Sequence, residues 1–374
     1  MSEYQCYEFV ALERPLTVKQ MNELRAISTR AEISPTRFWN EYQWGDLKAD
    51  PAKLIERYFD AHLYFSNWGA HRLMLRVPKV RVDMKAMKPY FVGGHAARLI
   101  NTGEHAVLDF TSESEDAEYD EQRQGSLAVL SPLRVELMQG DLRPAYLAWL
   151  LAVHTEDMGD DAVEPPVPAG LAELTAAQEA MVEFLRIDID LVAAAAIGSA
   201  TPQEEAEPFR RWLMGLSTKH KDAWLNRAAD DPGLGLGGEL LRAFRTTVRS
   251  TLAGKRRTVA ELRAGADVQR AQREKVEAAR SKKAKAAAEA ARQRHLAKLA
   301  RDVDGAWVKL EKLIDASSYD EAVKLAVDLR DLAAGDKSSA AFAKRFEAMR
   351  KRQLRRRGFF DRWKRASESG SERW

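Results

Sequence analysis

KRRTVAELRAGADVQRAQREKVEAARSKKAKAAAEAARQRHLAKLAR, residues 255–301, is the stretch that decides how the chain is organised. It holds no proline, and alanine, lysine, arginine and glutamate, the strongest helix formers, fill most of it. The composition predicts one continuous helix, about 65–70 Å long at roughly 1.5 Å per residue. The large apolar residues Val259, Leu262, Val268, Val276, Leu296 and Leu299 are too sparse for the a/d seam of a stable coiled coil. The pattern specifies a single solvated helix or a weak alanine-lined pairing. Its 15 lysines and arginines face 5 acids, so pairing within the helix leaves most of the cations uncompensated.

Upstream, the apolar pattern mixes periods. Gln5 to Glu13 alternates and is rich in Tyr, Phe and Val, which predicts a first strand. Thr17 with Gln20 forms a capping box ahead of a short helix with Met21, Leu24 and Ile27 on one face. Ile33 to Trp44 returns to strand character. Asp50-Pro51 starts a helix, with Leu54, Ile55, Tyr58, Phe59, Leu63 and Tyr64 at helical spacing. Leu73 to Val77 predicts a half-buried strand. His95 to Ile100 and His105 to Thr111 predict a hairpin turning at Asn101 to Glu104. Ser112 to Gln124 is acidic and predicts a surface loop. A Gly140-Asp141 break precedes a strong helix from Arg143 to His154.

The expected organisation is an α+β N-terminal domain over residues 1–155, then an all-α region with a long exposed basic helix, mainly α overall. A Pro/acidic linker or long loop covers 156–170. A helical middle follows over 171–254, with capping pairs Thr175/Gln178 and Thr201/Glu204 and further helices over Lys219–Ala228 and Glu239–Val248. After the basic helix (255–301) comes a helical tail over 302–366, with Trp307, Leu310, Leu313 and Ile314 on one face. Ser318/Glu321 is expected to cap the next helix, and Phe342, Phe346 and Met349 mark another. Residues 367–374 are expected to fray.

At 374 residues the chain has room for about two domains. The net charge of +3 says less than its distribution along the chain. Cys6 is the sole cysteine, which rules out an internal disulfide and a cysteine zinc cluster. The N-terminus lacks signal-peptide character, and no apolar run approaches the roughly 20 residues of a membrane span. The expectation is a cytoplasmic protein with no membrane association and no cofactor.

The pattern from Arg294 to Arg365 resembles the helical C-terminal region of bacterial SWIM zinc-finger proteins. The matching residues are Trp307 before Lys309-Leu-Glu-Lys-Leu-Ile314, Tyr319-Asp-Glu-Ala-Val323 with Asp328-Leu-Arg330, Phe342 with the Arg345 to Arg350 run, and Arg355 to Arg357. The zinc finger of that family needs a Cys-x-Cys and Cys-x-His set. Cys6 alone cannot supply it, so the metal is not carried over. Separately, Tyr7-Glu-Phe9 with Arg14-Pro-Leu16, Tyr42 with Trp44-Gly-Asp46, and Gly140-Asp-Leu-Arg143 resemble an uncharacterised bacterial family, which implies no known activity.

No catalytic motif stands out. The Gly233–Gly238 run lacks the Gly-Lys-Ser/Thr of a P-loop and reads as a helix-to-helix turn. The aromatics Trp39, Tyr42, Trp44, Tyr58, Tyr64 and Trp68 read as core. Arg134, Glu136, Asp141 and Arg143 read as a polar network around a helix break. The candidate nucleic-acid-binding residues are Lys255, Arg256, Arg257, Lys282, Lys283, Lys285, Arg292, Arg294 and Lys298 of the long helix, with Arg355, Arg356 and Arg357 of the tail. Three functions stay open. The first is a non-enzymatic scaffold or adaptor whose long helix and tail engage a protein partner or nucleic acid. The second is direct, sequence-independent nucleic-acid binding. The third is an enzyme with a site at His95, His105 and Asp109.

Overall fold

The computed structural model describes residues 4–92, 94–114, 126–230, 236–248 and 256–369. The chain divides into two compact units, 1–272 and 273–374. The first is built on a wholly antiparallel seven-stranded sheet: β1 (Gln5–Val10), β2 (Glu32–Ile33), β3 (Arg37–Tyr42), β4 (Ala61–Ser66), β5 (Ala70–Pro78), β6 (Ala97–Thr102) and β7 (His105–Glu113), in the order β2-β3-β1-β4-β5-β7-β6. Helices account for most of the remainder, so the fold is α+β followed by all-α.

Several elements follow from local chemistry. Helix α1 (Val18–Ile27) begins at the expected reciprocal capping box of Thr17 and Gln20. Helix α2 (Pro51–Arg57) begins at Asp50, whose carboxylate accepts the Ala52 N–H, with proline at the first position. The single turn α3 (Met84–Met87) begins at Asp83, whose carboxylate accepts the Ala86 N–H. The β6–β7 hairpin pairs Thr102 with His105, and Gly103 takes the left-handed conformation (φ +49°) that the tight turn requires. Gly69, between β4 and β5, has φ +94°, and a side chain there would run into the Ser114 carbonyl.

Two expectations are corrected. The strand expected over Ile33 to Trp44 is split into β2 and β3, because Pro35 has no N–H for a ladder and the Ser34 N–H turns back to the Arg37 carbonyl (2.8 Å). Leu63 and Tyr64 do not continue a helix but lie in β4. This central strand is largely buried on both faces, so period-2 alternation is hidden.

Strand alternation sorts the side chains between two cores. On one face Leu63, Phe65, Leu73, Leu75, Leu108 and Phe110 meet α4 (Leu127–Leu130), α5 (Pro132–Met138), α6 (Arg143–His154), α7 (Ala176–Phe184) and α8 (Ile189–Ala196). Every residue of α6 from Pro144 to Val153 is buried, as suits a helix that is apolar all round. On the other face Phe9, Phe38 and Met74 pack with Leu24 of α1 and Leu54 and Ile55 of α2.

Residues 159–170, read as a linker, form an irregular strap tied to the lead-in of the long helix α12 (Val259–Leu299). Val163 and Thr258 form an antiparallel bridge, flanked by Glu164 N–H to Arg257 carbonyl (2.9 Å) and Val259 N–H to Ala162 carbonyl (2.9 Å). The Glu164 side chain is buried and receives Nε and Nη2 of Arg257 (2.8 and 2.7 Å) and the Tyr146 hydroxyl. Val259, Leu262 and Ala266 then enter the first core. The helical middle comprises α9 (Pro202–Gly215), α10 (Thr218–Asp230) and α11 (Leu236–Val248), where Phe209, Trp212 and Phe244 stack within about 6 Å of one another.

The second unit takes in the rest of α12 and four helices: α13 (Val303–Asp315), α14 (Tyr319–Gly335), α15 (Ser339–Arg352) and α16 (Arg357–Ser369). Trp307, Leu310, Ile314, Leu329, Met349 and Phe359 form its core. Ser318 precedes α14 as expected but makes no side-chain cap hydrogen bond.

Removing one partner of a buried ion pair strands the other charge, at a cost of about 3–5 kcal/mol. Arg257→Leu should lower the unfolding free energy by about that amount in urea titration. Adding Glu164→Gln should recover more than half of the loss. Equal losses in the single and double variants would show that charge compensation is not what Arg257 provides.

Candidate functional site

The long helix does not present its cations uniformly. Arg257 belongs to the strap lock, so it is held by Glu164 and by the Ala194 carbonyl (2.7 Å) rather than offered to a ligand. Arg292 is held by Asp328 and Asp331 of α14. Arg263 and Arg270 reach Asp160 and Asp188. These partners lie between 36 and 103 positions away, beyond the acids inside the helix itself. Lys282, Lys283 and Lys285 are exposed and form no ion pair among the described residues; Arg294 and Lys298 are exposed as well. In the tail, Arg355 and Arg357 are exposed, while Arg356 donates to the Asp315 carbonyl (3.0 Å). Arg256 is exposed, and Lys255 lies outside the described residues. The division into units also divides the charge. Residues 273–374 carry 27 lysines and arginines against 16 acids, a net +11. Residues 1–272 carry 32 against 40, a net −8.

A second constellation lies on the polar part of the sheet; the sequence pointed to its His95 and Asp109 but not to Arg72, Arg98, His62 or Thr111. Register sets Tyr7, Tyr64, Arg72 and Thr111 side by side across β1, β4, β5 and β7. In the next row His62 lies beside Met74, Met74 beside Asp109, and Asp109 beside Arg98. Asp109 is fully buried; Arg72 grips it with Nε and Nη2 (2.7 and 2.8 Å) and Arg98 with Nη2 (2.6 Å). Burial pushes the Asp109 carboxyl up, but the hydrogen bonds and charge of the two guanidiniums outweigh it and hold the group below the usual carboxylate range. A cavity of about 300 Å³ lies over this row, bordered by Tyr64, Arg72, Arg98, His95, His62 and Thr111.

The remaining histidines do not assemble an acid–base centre. His105 pairs with Thr102 at the turn, whereas Ala97, two residues past His95, pairs with Phe110. The two histidines therefore sit at opposite ends of the hairpin, and Asp109 is already taken by arginines. His62 stacks on Phe9 (3.9 Å between centroids), and its Nδ1 donates to the Glu8 carbonyl. Burial pulls His62 down to about 3 and His71 down to about 4. Among the described residues no group of three His, Cys, Asp or Glu side chains could hold a metal ion. Burial and the nearby Glu8 raise the Cys6 thiol to about 12, which leaves it an unreactive core group. Trp44 and Trp68, expected in the core, are 76% and 47% exposed, because each falls in a bend or turn where strand periodicity has ended. The expected corner network is two networks. Arg143 clasps Asp141, and Gln178 bridges Asp141 and Glu136, while Arg134 turns away to Glu13 and the Arg76 carbonyl.

No protein family, curated protein or solved structure matches this chain. Among the described residues no helix is long and apolar enough to cross a membrane.

His62 and His71 bind protons near pH 6.5 in the unfolded chain, but only near 3 and 4 in the folded one. Between those limits the unfolded state holds more protons, so stability falls as pH drops from about 6.5 towards 4. The expected loss is about 2–3 kcal/mol per histidine over that interval. Asp109, with its lowered carboxyl, adds its own loss only below about pH 4. His62→Phe should reduce the slope of stability against pH between 4 and 6.5 by about half. An unchanged slope would show that His62 is not held neutral.

Proposed function

We propose that this protein is a non-enzymatic adaptor whose basic helical unit engages the phosphate backbone of nucleic acid without reading its sequence. The observation that carries the reading is the exposed run Lys282, Lys283 and Lys285 in α12, which makes no ion pair with any described residue, within a unit of net charge +11. Arg257, Arg263, Arg270 and Arg292 are matched by carboxylates of the same chain, so this lysine run is the densest exposed cationic stretch of the helix left for a partner. Lysines suit the role, since each acts as a mobile point charge that neutralises a phosphate without demanding one geometry. Exposed Arg294, Lys298, Arg355 and Arg357 belong to the same unit and add to its field. The N-terminal unit carries a net −8, so the reading rests on residues 273–374.

Phosphate neutralisation releases counterions, so affinity for random-sequence duplex DNA should fall about 10³-fold or more between roughly 50 and 200 mM salt. Replacing Lys282, Lys283 and Lys285 with glutamine should weaken binding and make the log–log salt slope shallower by about 2–3. Fluorescence anisotropy at several salt concentrations measures both. Absence of binding at low salt, where electrostatic attraction is strongest, would leave the helix as a surface for a protein partner.

A further inference from the structure

The polar row on the sheet is incomplete as it stands. Arg72 uses Nε and Nη2 on Asp109, and Arg98 uses Nη2. Their other N–H groups have no partner among the described residues. Arg98 is 45% exposed beside the cavity, while Asp109 beneath is fully enclosed and fixes both forks in place. Two further groups lining the cavity, Nε2 of His62 and Oγ1 of Thr111, are buried without a hydrogen-bond partner. Buried polar atoms are rarely left unpaired. The Tyr7 and Tyr64 hydroxyls are already engaged with Asp46 and Gln5.

These groups state what would complete them. Arg72 and Arg98 against the enclosed Asp109 leave +1 at the floor of the cavity, and Glu113 at its border brings the total to about zero, so the arginine forks can take a monoanion but not a dianion. Arginine N–H pairs fit the two oxygens of a carboxylate. Because Nδ1 of His62 donates to the Glu8 carbonyl, Nε2 is a bare acceptor and calls for a donor. An ammonium donor would sit against two arginines, so the donor is uncharged, and a hydroxyl is the smallest that serves. A volume of about 300 Å³ is at the small end of ligand sites.

We propose that this cavity binds a small hydroxycarboxylate, with its carboxylate between Arg72 and Arg98 and its hydroxyl directed towards His62 and Thr111. The site is independent of the basic helix, and its ligand does not depend on nucleic-acid binding.

The test is calorimetric titration of the full chain with L-lactate, with propanoate, which lacks the hydroxyl, and with sulfate as a dianion. Lactate should bind saturably, at least about fivefold more tightly than propanoate and more tightly than sulfate. Arg98→Gln, at an exposed position on the edge strand, should weaken lactate at least about tenfold. Thr111→Val, which keeps the shape, should narrow the gap between lactate and propanoate. The proposal is overturned if lactate gives no saturable binding up to about 10 mM, a concentration above the roughly millimolar scale of weak ligands. It is also overturned if propanoate or sulfate matches lactate, or if folded Arg98→Gln binds lactate as the unmodified chain does.

Discussion

The fold of the first unit turns on one buried carboxylate. Glu164 is 2% exposed and accepts hydrogen bonds from Arg257 and from the hydroxyl of Tyr146. Each contact joins a different part of the chain: Tyr146 belongs to the fully buried helix α6, Glu164 to the proline-rich strap, and Arg257 to the lead-in of α12. Arg257 also donates to the carbonyls of Ala194 and Ala195, among the last residues of α8. A cation at that end of a helix answers both its unpaired carbonyls and its dipole. A charge is tolerated in such a place only when it is paired and hydrogen-bonded, so the four segments can close together only as a set. The Tyr146 hydroxyl, buried and facing a carboxylate, is held well above its ordinary range and stays a donor throughout.

That junction explains why α12 has two characters despite nearly uniform composition. Its first turns place Val259, Leu262 and Ala266 in the core, and its early arginines find carboxylates on the strap and near the start of α8. From residue 276 to residue 291 every position is exposed. Burial and pairing thus fix the start of the helix, and charge keeps its middle soluble. The composition of 255–301 could reveal the helix, because alanine and long straight side chains favour it at every position. It could not reveal which arginines are free.

The same distinction governs what was legible elsewhere. Caps were readable because their chemistry is local. Thr17 with Gln20, Asp50 with Pro51 and Thr175 with Gln178 each decide a helix start within four residues. The β6–β7 hairpin was readable for the same reason. Strand β4 was not, since a strand covered on both faces shows no alternation and borrows the look of the preceding helix. The prolines and acids of 159–170 are loop chemistry and mark it as a linker or long loop, but the tie it makes is not local, since Glu164 owes its role to an arginine 93 positions away. The sequence singled out His95 and Asp109 but grouped them with His105, because the arginines Arg72 and Arg98 reach Asp109 only through the register of three strands.

Two buried aspartates differ in how far the protein itself completes their surroundings. Asp60 accepts from Arg76 (2.7 Å) and from the backbone N–H groups of Leu12 and Glu13 (2.7 and 2.9 Å), and both members of the ion pair are buried. Its carboxylate is surrounded by donors of the protein itself, so it holds a chain reversal and does nothing more. Asp109 accepts only from side chains, and one of those, Arg98, reaches it from a half-exposed position on the edge strand. Around Asp60 the protein supplies every donor to the carboxylate, although Nε of Arg76 is left buried without a partner. The arrangement around Asp109 is enclosed beneath and open on one side, with guanidinium N–H groups facing the opening, as preorganised ligand sites are.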